Sequence, residues 1–460
     1  MKNKNHYLKE GNLLFKEKKF HEALKCYEKA VQADPDNPKA WYNQGLALKY
    51  LKRSEEAIAA YTQAIELNPD YSIAWSNKGF VFIQLERFEE AAACFAKADK
   101  DILDIIVYTN RVTGGKIATI MLEKDPFFQD TLAQQKTALS SKQKELYKRI
   151  YIRSLQIIKR LHITSDEENE VAHYTKKTVS HQLVVDQSNF RLNSITNSND
   201  PKEGKTLLDY LFPNEITFQE DNRAFVGCFV FNPDFLNQFR LYGKENGQEA
   251  TGVSIIVNHN FFSKDIKRST LSTLSEKDKM NKDKDEMNKH ALFRCIYIDP
   301  DTDFVVSVGH KEEYIFRRED YKGIDFDKNI TDYKENTEKI LNSVRKQLDS
   351  LKRYINRHKK GMDLEIVGKL LINLRYLTKH VAFKEEQECR IVRILPVTGK
   401  ENGIKTAPGQ MYIDYLPMTN YVQKIYLGPK ATGLDLYQDI IKLKGLERIK
   451  CYQCKLPFSG

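Results

Sequence analysis

Residues 41–69 read WYNQGLALKYLKRSEEAIAAYTQAIELNP, and this stretch has counterparts on both sides of it. Gly11, Gly45 and Gly79 fall 34 residues apart. The same step relates Ala23, Ala57 and Ala91, then Tyr27, Tyr61 and Phe95, then Ala30, Ala64 and Ala98. Tyr7, Trp41 and Trp75 keep the register, and Pro35 and Pro69 close the first two units. A period of this length marks a stack of helical hairpins. The residue types say how the stack is built: small residues let two antiparallel helices approach, aromatics fill the space between them, and proline ends the second helix. The third unit carries Leu103 where proline is expected. Its second helix is therefore expected to run on, or to lead directly into a capping helix that seals the stack.

Each unit resembles a tetratricopeptide repeat, and the resemblance covers residues 4–105. It implies a concave face built from the first helix of each hairpin, where Asn12, Tyr42, Asn43, Leu46, Asn77 and Phe80 are the expected groove residues. Some repeats of this family hold a C-terminal carboxylate with two asparagines and three basic residues. Asn12 and Asn43 match the asparagines, whereas Leu8, Ile73 and Asn77 stand at the basic positions. Without those cations a terminal carboxylate lacks its charge-assisted partners. The expected partner is a protein or peptide segment held internally, its backbone bonded by the amides and its side chains packed on the aromatics. The alternative is that the groove docks on the C-terminal half of its own chain.

A chain of 460 residues suggests two or three domains, and 41% hydrophobic with 11% aromatic residues is enough for real cores. The net charge of +10 sits within a 30% charged composition in which lysines alternate with acids. No groove-reading or base-stacking motif accompanies the charge, which argues against nucleic acid. The start, MKNKNHYLKEGN, has no apolar signal core, and no stretch approaches the roughly 18 apolar residues of a membrane span. A cytoplasmic protein without a transmembrane segment is expected. Seven scattered cysteines read as reduced thiols. Cys451 and Cys454 form the only C-x-x-C; with no second pair it lacks four ligands, its setting alternates like a strand, and no metal site is expected.

The expected organisation is multidomain: an all-α repeat solenoid over 1–105, a helical cap and connector over 106–168, and an α+β domain with a mainly antiparallel sheet over 169–460. Within the connector, residues 141–161 form an amphipathic basic helix, read as the solvated face of a packed helix rather than a membrane-surface element. Beyond it, strands are expected near 171–175, 190–195, 224–231, 251–257, 292–298, 303–308, 388–395, 411–415, 422–427 and 448–454. Helices are expected over 336–357 and 364–380. The lysine- and aspartate-rich stretch 264–289 reads as a solvated insertion.

In an extended segment from Glu386 to Ile394, a period of two puts Glu386, Glu388 and Arg390 on one side and Cys389 with Ile391 on the other. His173 and Tyr174 open the domain, and Asn199-Asp200-Pro201 makes a turn after a strand. The order His173, Tyr174, Thr175; Arg191, Leu192; Asn199, Asp200, Pro201, Glu203; Tyr242, Gly252; Glu386, Glu388, Arg390; Ile425, Leu427, Gly428; Leu456, Pro457, Phe458 resembles the bacterial domain-of-unknown-function family numbered 2971, from about 170 to 460. Phe239 or Leu241, and Phe383, stand where that family often has tryptophan. The family carries no established activity.

A His-Tyr strand followed late in the chain by a strand-borne glutamate is also similar in layout to ADP-ribosyltransferases. That analogy implies NAD as cofactor, His173 orienting a ribose, Tyr174 stacking on nicotinamide, and Glu386 or Glu388 stabilising the positive charge of the breaking glycosidic bond. Arg191, Asn199, Asp200, Glu203 and Arg390 are the candidate ligand-binding residues. Two readings stay open: an adaptor recruiting a partner to an effector domain whose activity is undecided, and an NAD-consuming enzyme whose repeats select its substrate. In the bland alternative the same glutamates and arginine form an ion-pair ladder.

Overall fold

The structure is a computed structural model that describes residues 4–98, 109, 112–123, 125–133, 138–165, 168–195, 200, 202–213, 222–242, 244, 247–264, 266, 289–316, 326–397 and 403–455. The chain divides into two compact units, Met1–Gln129 and Asp130–Gly460.

The first unit is three helical hairpins: α1 (Lys4–Lys16) with α2 (Phe20–Ala33), α3 (Pro38–Tyr50) with α4 (Ser54–Leu67), and α5 (Ser72–Gln84) with α6 (Phe88–Ala98). The 34-residue pattern has a direct steric cause. A Cβ added at Gly45 would lie 2.8 Å from the Tyr61 ring, and one at Gly79 would lie 2.8 Å from the Phe95 ring. Each glycine is the floor on which the aromatic of its paired helix rests. Trp41 Nε1 donates to Pro35 O at 2.7 Å, and Trp75 Nε1 repeats the bond to Pro69 O at 2.9 Å, so the tryptophans pin each hairpin to the turn before it. The helix Lys116–Glu123 packs on α6 and buries Ile117, Ala118, Met121 and Leu122. Leu103 itself lies outside the described residues.

The second unit opens with the helix Ser141–Leu161, whose start is a capping box between Ser140 and Gln143. Its apolar face, including Tyr147, Ile150 and Leu155, is buried, and the helix packs along Phe326–His358, where the Arg153 guanidinium lies 4.3 Å over the Tyr354 ring. The cations occupy the rest of a packed helix.

Ten strands form the main sheet in the order β10 (Lys405–Ala407), β11 (Gln410–Pro417), β2 (Asn189–Ser194), β3 (Asn222–Val230), β1 (Glu170–Thr175), β4 (Val253–Asn258), β12 (Val422–Leu427) and β13 (Lys450–Gln453). β9 (Glu388–Pro396) pairs the other edge of β3 along its full length and also meets β5 (Phe293–Arg294). All pairings are antiparallel except β12 with β13. A second sheet holds β7 (Phe304–Val308), β6 (Ile296–Asp299) and β8 (Thr378–His380), with β6 and β8 parallel. The core beneath the main sheet takes alternate residues such as Phe225, Phe229, Ile255, Cys389, Ile391 and Ile425.

Three local expectations change. Residues 364–380 are two short helices, Leu364–Leu370 and Ile372–Arg375, and then β8, so the single helix read there is corrected. Helical periodicity is carried through the break because Leu370, Leu371, Leu374 and Leu377 are all buried. The helix placed at 336–357 begins ten residues earlier, at Phe326. Most of the stretch 264–289 lies outside the described residues. Cys451 lies within the strand Lys450–Gln453 and Cys454 follows it directly, both as free thiols. Among the described residues no helix is long and apolar enough to cross a membrane.

Gly45→Ala should destabilise the first unit by about 1–3 kcal/mol, the cost of overpacking, although alanine is the better helix former by about 1 kcal/mol. Thermal unfolding of Gly45→Ala, Tyr61→Leu and the double variant checks this. Opening space at Tyr61 should make the glycine change cheaper in the double variant than in the wild-type background.

Candidate functional site

The site begins with a fork in the main sheet. Along one edge, β3 pairs with β2 at Phe225 and Val226 and with β1 only at Val230. β1 and β2 therefore share that edge end to end and diverge between those points. Gly227 permits the close approach of β2: a Cβ there would lie 2.7 Å from Leu192 Cδ2 and 2.8 Å from the Phe190 ring. In the gap, the Cys228 carbonyl is met by the His173 side chain, with Nδ1 at 3.0 Å. A carbonyl only accepts, so Nδ1 carries the proton and Nε2 is left as an acceptor. Burial pushes the His173 pKa down, the Cys228 bond opposing it, and the ring is neutral.

A cavity of about 850 Å³ opens in this fork. It is a volume suited to a small organic ligand. Of the residues singled out from sequence, His173, Tyr174, Arg191, Glu203, Glu386, Glu388 and Arg390 all line it, although they come from β1, β2, the loop after β2, and β9 with its preceding turn. Asp200 is buried but is not part of the lining; its carboxylate accepts the Lys202 amide at 2.8 Å. Asn199 lies outside the described residues.

Five charges meet at the cavity floor, four of them in its lining and the fifth, Lys379, bonded to two of those. Arg390 Nε and Nη2 donate to the two oxygens of Glu388, each at 2.9 Å. Arg390 also forks onto Glu203, with Nη1 to Oε1 at 2.5 Å and Nη2 to Oε2 at 3.1 Å, and Nη1 reaches Tyr376 O at 2.8 Å. Lys379 of β8 bridges Glu388, at 2.8 Å from Oε2, and Glu386. Side-chain exposure is between 2% and 6% for all five. Glu386 does not arrive on the strand. It ends a 3-10 turn (Val381–Glu386), and Gln387, at φ 47° and ψ 52°, makes the corner into β9. The corner still brings Glu386 beside Glu388.

These surroundings separate the two glutamates. Enclosure would raise Glu388, but Arg390 and then Lys379 hold its carboxyl well below the usual range. For Glu386 burial is the largest influence and prevails over Lys379, so its pKa is raised. Arg390, saturated by carboxylates and a carbonyl, has no donor left for an incoming phosphate, and the anion-binding role considered for it passes to Arg191. Arg191 is exposed at the cavity edge, its guanidinium 4.2 Å over the Tyr412 ring.

Tyr174 is spent on structure. Its hydroxyl donates to Asn232 O and accepts from Phe235 N, both at 2.8 Å, while its ring packs edge-on to Phe239. Tyr242 is better placed for an aromatic contact, since it lines the cavity with its hydroxyl 3.5 Å from Glu386 Oε1. The Cys228 thiol is pushed well up by its enclosure and then by Glu388, which makes it a poor nucleophile. Lys379, Tyr242 and Gln238 were not among the candidate site residues. No sequence signal pointed to Lys379.

In the first unit, the expected groove residues do come together. Asn43 Nδ2 donates to Asn12 Oδ1 at 3.2 Å, Asn77 Nδ2 lies 3.3 Å from Tyr42 OH, and Lys49 Nζ donates to Asn77 Oδ1 at 2.9 Å while standing 5.5 Å over the Phe80 ring. Lys49 is half-buried, and desolvation lowers its pKa. Elsewhere, donor atoms of Asp299, Asp301 and His380 lie within 4.8 Å of one another, the one group of metal-binding types among the described residues. Asp299 is already occupied by its own loop, accepting from Asp301 N at 3.1 Å and Thr302 Oγ1 at 2.7 Å.

Comparison with known families matches residues 11–52 to a TPR repeat and residues 38–71 and 73–100 to tetratricopeptide repeats. Residues 11–100 are tetratricopeptide repeats. Similar solved structures include the second TPR of Spaghetti (RPAP3) bound to an HSP90 peptide, 31% identical over 21% of this chain and 90% of that chain, with a TM-score of 0.21. The second TPR domain of human RPAP3 in complex with an HSP70 peptide is 29% identical over 26% and 90%, TM-score 0.20. The Arabidopsis OM64 TPR domain is 25% identical over 21% and 78%, TM-score 0.20. No curated protein matches the chain.

Glu388→Gln should cost about 3–5 kcal/mol, because it removes the buried carboxylate that Arg390 and Lys379 share and breaks three of their charge-assisted bonds at once. Glu386→Gln should cost much less, since only one of its oxygens is held by a cation and burial already works against its charged form. The depressed pKa of Glu388 gives stability that is full above the ordinary carboxyl range, begins to fall within it, and is lost as pH drops on through the depressed value. Urea denaturation of the second unit, followed by near-ultraviolet circular dichroism at pH 7 and pH 4, should therefore show wild type losing more stability on acidification than Glu388→Gln.

Proposed function

We propose that the chain is an adaptor: its N-terminal repeats capture a protein segment and bring it to an effector unit, residues 169–460, that binds a small ligand in the forked-sheet cavity. The observation that carries the first half is two bonded groups, Asn12 with Asn43, and Asn77 with Tyr42 and Lys49, the last standing over the Phe80 ring. The structures to which this region is similar are described as holding HSP90 or HSP70 peptides. For this chain an internal segment is favoured over a chain terminus, because Leu8, Ile73 and Asn77 replace the cations that a terminal carboxylate needs. Lys49 supplies a single half-buried cation, which suits one acidic side chain of the captured segment. The order of short motifs resembling the bacterial family numbered 2971 supports treating the effector region as one unit.

A phage-displayed peptide library should be enriched by the purified chain for internal segments containing an acidic residue. Lys49→Ala with Asn43→Ala should weaken the best peptide by about tenfold or more in fluorescence anisotropy, the size expected for a lost charge-assisted bond. Unchanged affinity in that variant would remove the groove from the proposal.

A second reading, an ADP-ribosyltransferase-like NAD-consuming effector, is favoured by one observation: His173, Tyr242 and both glutamates face one cavity. Since Glu388 is neutralised by Arg390 and Lys379, the carboxylate that stabilises developing positive charge would be Glu386, with Arg191 for the pyrophosphate. Incubation with NAD should then release nicotinamide, and Glu386→Gln should reduce the rate by about a hundredfold or more. An absence of release with the captured peptide present would eliminate the enzyme reading and leave the adaptor.

A further inference from the structure

The floor charges do not balance. Among the described residues it holds three carboxylates, Glu203, Glu386 and Glu388, against two cations, Lys379 and Arg390. The excess can be located. Both oxygens of Glu203 and both of Glu388 are held by Arg390, whereas Glu386 gives Oε2 to Lys379 and turns Oε1 toward the Tyr242 hydroxyl at 3.5 Å. An uncompensated negative charge at this burial is unfavourable, so it is either protonated or met by a cation from outside. The cavity edge has the other polarity, with Lys176 and Arg191 exposed against Asp186.

We infer that the cavity takes a small organic cation bearing an anionic group, its positive end against Glu386 and Tyr242 at the floor and its anionic end, such as a phosphate, at Arg191. The aromatic wall suits a flat or quaternary cation, since the Tyr242 ring face adds attraction beyond the carboxylate. On binding, the ligand's positive charge meets the Glu386 oxygen that Lys379 does not hold. This rests on the cavity being a ligand site, as proposed above, and deepens it by naming the ligand's charge pattern; it does not require that the ligand be cleaved.

The test uses pairs of ligands alike in shape and different in charge, titrated calorimetrically into the full chain at pH 7. One pair is nicotinamide mononucleotide and its dihydro form, whose ring is neutral. The other is phosphocholine and 3,3-dimethylbutyl phosphate, its uncharged carbon isostere. In at least one pair the cation should bind about tenfold or more tightly, the worth of a charge-assisted contact. Glu386→Gln should bring the two members of that pair to within about threefold, and Glu386→Asp, which restores the charge, should recover the preference. Equal binding within both pairs, no binding by any of the four at millimolar concentration, or a preference that survives Glu386→Gln would each overturn the inference. Charge discrimination without nicotinamide release from NAD would retire the enzyme reading alone. Release without discrimination would retire this one alone.

Discussion

The guanidinium of Arg390 holds the second unit together. It sits in the middle of β9 with 2% of its side chain exposed, and a charge so placed is tolerable only if every N–H finds an acceptor. The acceptors come from three places: Glu203 in the loop after β2, Glu388 on the same strand, and the Tyr376 carbonyl just before β8; Glu388 in turn accepts from the Lys379 ammonium on β8. The loop, the main sheet and the small sheet are thus tied at one point. Bidentate pairing fixes angles as well as distances, which a lysine at the same position would not do.

From that knot the cavity follows. β3 is the central strand, fully paired with β9 on one side and shared between β1 and β2 on the other. The divergence of β1 and β2 leaves backbone polar groups in need of partners, and His173 covers one of them with its Nδ1 proton. His173 and Arg390 both line the cavity, one as a neutral donor to the Cys228 carbonyl and the other as a charged donor to Glu203 and Glu388. The cavity is what remains between them, with Phe190 and Tyr242 as wall.

What could be read from the sequence followed the range over which each feature is held. The repeats were legible because each contact, Gly45 on Tyr61 or Trp41 on Pro35, lies within one 34-residue unit and is copied in the next. The strands were legible because β2 alternates exposed and buried residues, while β3 and β9 are nearly continuous buried runs rich in β-branched and aromatic residues. The shared side of Glu386, Glu388 and Arg390 was also legible, but for an incomplete reason: a left-handed corner at Gln387, not an extended strand, sets Glu386 there. The role of Lys379 was not legible. Its partners lie seven and nine residues ahead across a turn, and the leucines before it continue a helical rhythm through a helix that has already stopped. The fork between β1 and β2 has no sequence signature, because it depends on which strand each reaches, not on what either contains.

The two parts of the chain use polar side chains in opposite ways. In the repeats, asparagines and Lys49 bond to one another across a partly exposed face, at modest cost, since water can replace a partner that is removed. In the second unit five charges lie under less than a tenth of their normal exposure, and apolar side chains of the same volume would give a fold at least as stable. Stability therefore does not explain why those positions hold charges. Packing does not explain it either, because two of the three carboxylates have every oxygen held by cations while Glu386 keeps one turned toward a tyrosine at the cavity floor. What the cluster provides, and what an apolar floor lacks, is a charge of fixed position and sign in a low-dielectric wall, where a ligand's opposite charge counts for far more than it would in water.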